Sequence, residues 1–246
     1  MHHFFVEPSQ IQGKRIIITG SDVNHIKNVL RMKTGEEIVV SNGADNREYH
    51  CGIEEYTEQK VICTLRFIKE DGGELPAKIY LFQGLPKADK MEFVIQKAVE
   101  LGVYEVIPVA ARRCVVKLDE KKAAVKVSRW QGIAEAAAKQ SRRGVIPVVR
   151  NVMSMQEAIK YTQSMDVKII PYELAEDMQH TKDIIRSVKP DECVAVFIGP
   201  EGGFEESEVQ AALTAGIEPV TLGRRILRTE TAGLTVLSWL MYQLES

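Results

Sequence analysis

Two stretches of this 246-residue chain carry residue types that could do chemistry. The first is FIGPEGGFEESE, Phe197 to Glu208. Glycine-rich turns after an apolar strand often hold phosphate, through backbone N–H groups and the positive end of the next helix. This turn is poorly suited to that task. Pro200 lacks an N–H. Glu201, Glu205, Glu206 and Glu208 load the loop and the first helical turn with negative charge, which suits the helix dipole but repels phosphate. Neither the P-loop spacing of glycines nor the dinucleotide spacing occurs. Two readings stay open. One is a plain tight turn with a charged helix start. The other is a backbone surface that a phosphate-free ligand approaches closely, because glycine has no Cβ. The carboxylates suit a cationic ligand.

The second stretch is LGRRILRTETAG, Leu222 to Gly233. Arg224, Arg225 and Arg228 come just before a helix that opens near Thr229. A cation at a helix N-terminus is unfavourable by about 0.3–1 kcal/mol, and local rules broken in this way concentrate at functional sites. Either the three point into solvent or pair with Glu230 and neighbouring acids, or at least one meets an anion such as an RNA phosphate, or a base carbonyl.

The elements that must position these loops fall into two parts. In the first, RIIIT (15–19), EEIVVSNG (36–43), REYHCGIEEYT (47–57) and KVICTLRFIKE (60–70) read as strands, β-branched and separated by turn signals. One helix is expected over 22–32, capped by Ser21 or Asp22, with Val23, Ile26, Val29 and Leu30 on its apolar face. Short strands with a single short helix predict a small barrel over residues 1–72. EDGGELP (70–76) reads as the linker.

From residue 73 to 246, strands and helices alternate. Strands are expected at 77–84, 104–109, 145–149, 167–172, 193–199 and 218–223. Helices are expected at 87–101, 119–141 (Val125, Trp130, Ile133, Ala134 and Ala137 inward), from Ser154 with Glu157 completing a capping box, 205–215 and 229–244. Such alternation predicts an α/β domain with a mostly parallel sheet and flanking helices. Ligands in these sheets bind beyond the carboxyl ends of the strands, near a topological switch point. Both Gly199–Gly203 and Leu222–Arg228 follow such ends.

Hydrophobic residues are 45% and charged residues 27% of the chain, an ordinary globular profile. No apolar run approaches the roughly 20 residues of a membrane span, and MHHFFVEPSQ lacks the apolar core of a signal peptide. Cytoplasmic residence is the expectation. Cys51, Cys63, Cys114 and Cys193 form no CxxC pair and read as core residues. No metal is expected, and His2 and His3 have little support as ligands. Net charge is only −2, but it is unevenly spread. Residues 112–143 carry +7 and residues 173–208 carry −7. The basic block is either a solvated helix face or a footprint for a polyanion. An arginine loop, a phosphate-free ligand surface and a basic block suggest an enzyme acting on nucleic acid.

GPEGGF (199–204) followed by LGRRILRTETA (222–232) resembles the two C-terminal motifs of the RsmE family, bacterial methyltransferases that modify N3 of a uridine in 16S rRNA. QKAVELGV (96–103), EAAAKQSRR (135–143) and HIKNVLRMKTGEE (25–37) are similar to further family segments, so the resemblance spans nearly the whole chain. It implies a SPOUT-class domain with a deep trefoil knot, S-adenosylmethionine as methyl donor, an N-terminal PUA-like barrel and a homodimer. No connection rule predicts a knot.

By resemblance, Gly199, Pro200, Glu201, Gly202 and Gly203 form one cofactor loop, and Leu222, Gly223, Ile226 and Leu227 the other. Thr231 and Ala232 close the pocket. Arg228, then Arg225, is the candidate for stabilising charge on the uridine carbonyls. Glu201 and Glu230 are the nearest candidates for a base, although either also reads simply as a cap or ion-pair partner. Arg112, Arg113, Arg142 and Arg143 are the candidate contacts to 16S rRNA or the small ribosomal subunit. The competing readings are another SPOUT activity on a 2′-hydroxyl or on tRNA, a non-catalytic RNA-binding factor, and, more distantly, a nicotinamide dehydrogenase, which the missing dinucleotide fingerprint disfavours.

Overall fold

The computed structural model describes residues 2–70, 73–172, 175 and 177–245. Part of the expected linker, Asp71 and Gly72, lies outside the described residues, as do Glu173 and Glu176 of the acidic block. The chain divides into two units: residues 1–74 with 138–146, and residues 75–137 with 147–246. The first unit therefore includes a segment, Ala138–Ile146, that a single cut near residue 72 assigns to the second.

The first unit is built on β1 (His2–Phe5), β2 (Ile11–Gln12), β3 (Arg15–Thr19), β4 (Glu37–Ser41), β5 (Glu48–Tyr56) and β6 (Lys60–Lys69). They form one curled sheet in the order β1-β4-β5-β6-β3-β2. Its inward residues include Ile16, Ile18, Ile38, Val40, Cys51, Ile53, Val61 and Cys63. The alternation read from the sequence is the alternation that fills this core. Sequence reading missed β1. Its His3 Nε2 lies 2.8 Å from Ser41 Oγ.

The expected helix over 22–32 is shorter and begins elsewhere. α1 (Ser21–Asn24) is capped by Gly20 without any side-chain bond, so neither Ser21 nor Asp22 is the cap. It continues into a π-helical turn, His25–Val29, with Leu30 N–H donating to His25 O at 2.9 Å. The wider turn rotates Val29 away from the buried face that Val23 and Ile26 keep.

The segment Ala138–Ile146 is held within the first unit by polar bonds. Arg143 is 5% exposed, and its guanidinium grips both oxygens of Glu74. Glu74 also accepts from Val145 N–H at 3.2 Å. The sequence expectation that Arg143 contacts RNA is corrected here, because its guanidinium is buried against Glu74 and leaves almost no surface for a phosphate. Arg142 beside it is exposed. Arg143→Ala should destabilise the first unit by about 3–5 kcal/mol, since it strands the Glu74 charge. Urea denaturation measures this, and a cost below about 1 kcal/mol would contradict it.

The second unit is a parallel sheet. Its strands are β7 (Lys78–Gly84), β8 (Glu105–Ala110), β9 (Val148–Val149), β10 (Met153–Ser154), β11 (Val167–Pro171), β12 (Cys193–Ile198) and β13 (Glu218–Val220). The order is β10-β8-β7-β12-β11-β13, with β9 on β8, and every pair is parallel. From β7 the chain builds outward through β8 to β10, then returns to build the other side. β7 and β12 meet at the reversal, the topological switch point. Both are largely buried, with Phe82 and Phe197 stacked at 4.5 Å across them. Such central strands read as continuous apolar runs.

The helices are α2 (Lys90–Glu100), α3 (Glu120–Ser141), α4 (Met155–Tyr161), α5 (Met178–Ser187), α6 (Glu206–Thr214) and α7 (Thr229–Leu244). α7 packs on β7, β12 and α2. The capping box of Ser154 and Glu157 forms as expected. α5 went unread in the sequence; Asp177 caps it through Gln179 and His180 N–H groups. α3 corrects one inward residue. Val125 is 72% exposed, whereas Trp130, Ala134 and Ala137 are buried. Cys193 is only half-buried, unlike the other three cysteines. No helix among the described residues is long and apolar enough to cross a membrane, and no cluster of metal-ligating side chains occurs among them.

Candidate active site

β12 ends at Ile198 and delivers the glycine loop directly to the switch point. The loop folds back on itself, with Gly203 N–H donating to Pro200 O at 2.9 Å. Gly203 takes a positive φ of 68°. The fold-back leaves no room at Gly199: a Cβ there would sit 3.0 Å from Gly203 Cα and 3.2 Å from Phe204 N. Pro200 is buried against the end of β7, where a Cβ on Gly84 would meet Pro200 Cδ at 2.6 Å. Gly84 is thus required by the approach of a neighbouring strand end. Glu201, Gly202 and Gly203 are exposed.

The second loop leaves β13 and leads into α7. Thr221 anchors it, through N–H to Thr181 Oγ1 at 3.0 Å, and accepts from Gly223 N–H at 3.2 Å. Gly223 has a φ of 100°, which only glycine adopts readily. Leu222 and Leu227 are half-buried, whereas Ile226 is 88% exposed. Arg224, Arg225 and Arg228 are all exposed. None is ion-paired to a carboxylate among the described residues. Arg228 is the N-cap of α7 and makes no side-chain capping bond. Thr231 and Ala232 follow in the first turn, one exposed and one buried.

The two loops are joined beneath by a buried relay. Gln83, fully buried at the end of β7, donates from Nε2 to Thr229 Oγ1 at 2.9 Å. Thr229 Oγ1 donates in turn to Gly199 O at 2.6 Å. The first residue of α7 therefore holds the first residue of the glycine loop. Sequence reading missed Gln83. Its signal was a polar residue closing an otherwise apolar strand, YLFQG.

Above the relay the bonds are ionic. Lys90 Nζ lies 3.2 Å from Glu201 Oε1 and 3.2 Å from Glu230 Oε2. Glu201 also accepts from Lys87 N–H at 3.1 Å. Partial burial pushes the Glu201 carboxyl up, but bonds from its own backbone N–H, from Lys87 and from Lys90 outweigh this and hold it below the ordinary carboxylate value. The backbone N–H of Glu230 lowers its carboxyl, with Lys90 and the Arg228 charge adding to the effect against partial burial. Both groups stay ionised at neutral pH. The pairing with Arg228 left open by the sequence is thus replaced by a pairing with Lys90.

Arg112 and Arg113 lie beside the glycine loop within the second unit. Arg112 N–H donates to Glu208 Oε1 at 2.9 Å and its guanidinium to Glu205 at 3.2 Å. Arg113 Nη1 donates to Gly202 O at 3.1 Å. Both remain exposed. The basic block that looks continuous in sequence is divided: Arg112 and Arg113 belong to the second unit, Arg142 and Arg143 to the first.

The two loops meet at the switch point of a parallel sheet, and among the described residues the three arginines of the second loop form no ion pair. Residues 73–241 match the family described as RNA methyltransferase domain, and residues 18–66 match the one described as RNA methyltransferase PUA domain. The fold is that of an RNA methyltransferase. The chain is 39% identical to the ribosomal RNA small subunit methyltransferase E of Bacillus subtilis, over 100% of this chain and 98% of that one. Among solved structures, the Neisseria gonorrhoeae ribosomal RNA small subunit methyltransferase E bound to S-adenosyl methionine is 31% identical with a TM-score of 0.82, covering 97% of this chain and 95% of that chain. A Legionella pneumophila methyltransferase in complex with S-adenosylmethionine is 32% identical with a TM-score of 0.81, covering 98% and 96%. The chain belongs to the ribosomal RNA small subunit methyltransferase E family.

Proposed function

We propose that the chain methylates N3 of a uridine in 16S rRNA of the small ribosomal subunit, using S-adenosylmethionine. The observation that carries this reading is the tethering of the glycine loop and the arginine loop to one another at the switch point, through Thr229 and Gly199. A ligand held there meets main chain on one side and exposed arginines on the other.

The residues present fit this donor. S-adenosylmethionine has no phosphate and carries a sulfonium and an ammonium, so carboxylates near the loop favour it where they would repel a nucleotide phosphate. Gly199, Pro200, Glu201, Gly202 and Gly203 form one wall. Leu222, Gly223, the exposed Ile226 and Leu227 form the other, closed by Thr231 and Ala232. When bound, the donor supplies an electrophilic methyl group. The chain's task is to orient uridine N3 in line with that carbon. N3 would release its proton to solvent as it takes that methyl group from sulfur. Arg228, seconded by Arg225, stabilises the negative charge that builds on the flanking carbonyl oxygens. Glu201 and Glu230 are weak bases when held below their ordinary pKa, so the reading rests on charge stabilisation rather than on either carboxylate as base.

Arg142, with Arg112 and Arg113, contributes to the RNA footprint. Arg142→Glu should weaken RNA binding and reduce the salt slope by about one for each phosphate it no longer neutralises. Filter binding across a salt series reads both, and an unchanged slope would remove Arg142 from the footprint. The homodimer, the trefoil knot and residence in the cytoplasm belong to this proposal through the family likeness. The decisive experiment is calorimetric titration with S-adenosylmethionine, followed by mass spectrometry of digested 16S rRNA after reaction. Binding plus N3-methyluridine is expected. RNA binding with no cofactor binding would leave an RNA-binding factor, and a methyl group on a 2′-hydroxyl would reassign the chemistry.

A further inference from the structure

Lys90 sits where helix electrostatics oppose it. It is the first residue of α2, at the positive end of that helix, and a cation there is unfavourable. Asp89, the N-cap, makes no side-chain capping bond that would offset this. The compensation comes from two distant parts of the chain. Glu201 belongs to the glycine loop, and Glu230 to the first turn of α7 directly after the arginine loop. Each brings a carboxylate oxygen to 3.2 Å from the same ammonium nitrogen. Glu201 is further tied to the start of α2 by the Lys87 N–H.

Two features make this more than a surface ion pair. One cation bridges the two loops proposed to hold the methyl donor. Its removal would also leave two carboxylates facing each other across a short gap, so that they repel and drive the loops apart. The relay through Gln83 and Thr229 joins the loops from beneath at Gly199 and makes no bond to Glu201, which lies inside the turn that Gly203 N–H closes on Pro200 O.

We propose that Lys90 is a positioning residue for the methyl donor: by bridging Glu201 and Glu230 it locks both cofactor loops in the binding conformation. This rests on the reading that these loops bind S-adenosylmethionine. Lys90 itself touches neither methyl donor nor RNA in this assignment. Its loss acts on donor affinity, and saturated turnover stays close to that of the parent protein.

The test compares the parent protein with Lys90→Met and Lys90→Arg, using calorimetry with S-adenosylmethionine and steady-state methylation of 16S rRNA. Lys90→Met should raise both Kd and KM for the donor about tenfold, equivalent to ~1.4 kcal/mol, with kcat within about threefold. Lys90→Arg, which can still bridge two carboxylates, should restore most of the affinity. In a Glu201→Gln/Glu230→Gln background no charge remains to be bridged, and Lys90→Met should then have no further effect. That background also serves if Lys90→Met alone fails to fold. Parent-like donor affinity in Lys90→Met, or an equal loss with and without the two glutamates, would overturn the role of Lys90. Failure of the parent protein itself to bind S-adenosylmethionine would instead overturn the cofactor reading.

Discussion

Replacing Arg228 with alanine is expected to slow methyl transfer by about 10²–10³-fold while leaving donor affinity within about twofold, the behaviour of a lost transition-state hydrogen-bond donor. Among the described residues, Arg228 makes no ion pair and no side-chain capping bond. It caps α7 without a side-chain bond, it is exposed, and the nearby Glu230 is occupied by Lys90. A cation at a helix N-terminus works against the dipole by about 0.3–1 kcal/mol. The alanine variant should therefore be as stable as the parent or slightly more so. Loss of activity without loss of stability distinguishes a working group from a structural one. Single-turnover methylation with saturating donor, read beside a thermal melt, measures both. Unchanged turnover would remove Arg228 from the mechanism, and Arg225→Ala would then be the next substitution to examine.

Gly199→Val should abolish donor binding in calorimetry, a drop in affinity of at least about 100-fold or ~2.7 kcal/mol. Even a lone Cβ at this position meets Gly203 Cα at 3.0 Å, Gly203 C at 3.1 Å and Phe204 N at 3.2 Å. All three are backbone atoms and cannot swing aside as a side chain would. The glycine loop must open, which pulls Gly199 O from Thr229 Oγ1 and breaks the relay to Gln83. The damage is local to a loop on the second unit, so near-UV circular dichroism should show a folded protein. Parent-like affinity would mean that the turn serves architecture alone and that the donor binds elsewhere.

Much of this architecture was legible in the residues. Strand and helix periods recover β3 and α7 at their observed limits, and the capping box of Ser154 with Glu157 marks the start of α4. These features depend on interactions a few residues apart, which a linear pattern encodes. The acid-rich, proline-interrupted glycine turn excluded a phosphate ligand for the same reason: its chemistry is local. The arginines before α7 were legible as a conflict with the helix dipole. Lys90 at the start of α2 breaks the same rule and went unnoticed, because its two compensating carboxylates lie more than a hundred residues further on.

What only the tertiary structure decided is which charges are already spent. In the sequence Arg142 and Arg143 are equivalent neighbours. In the fold one is exposed and the other is buried against Glu74. Val125 follows the helical period yet faces solvent, since amphipathic spacing says which residues share a face and not what lies opposite. Glu201 and Glu230 stay open between base, cap and ion-pair partner until Lys90 is seen between them. The close fit of Gly84 to Pro200 depends on β7 and β12 lying side by side, strands far apart in the chain. Residue types and local periods therefore marked most of the elements and argued against a phosphate at the glycine turn. Strand order and long-range pairing decided which residues are free to act, because ion pairing and burial depend on distances in space that the linear order does not contain.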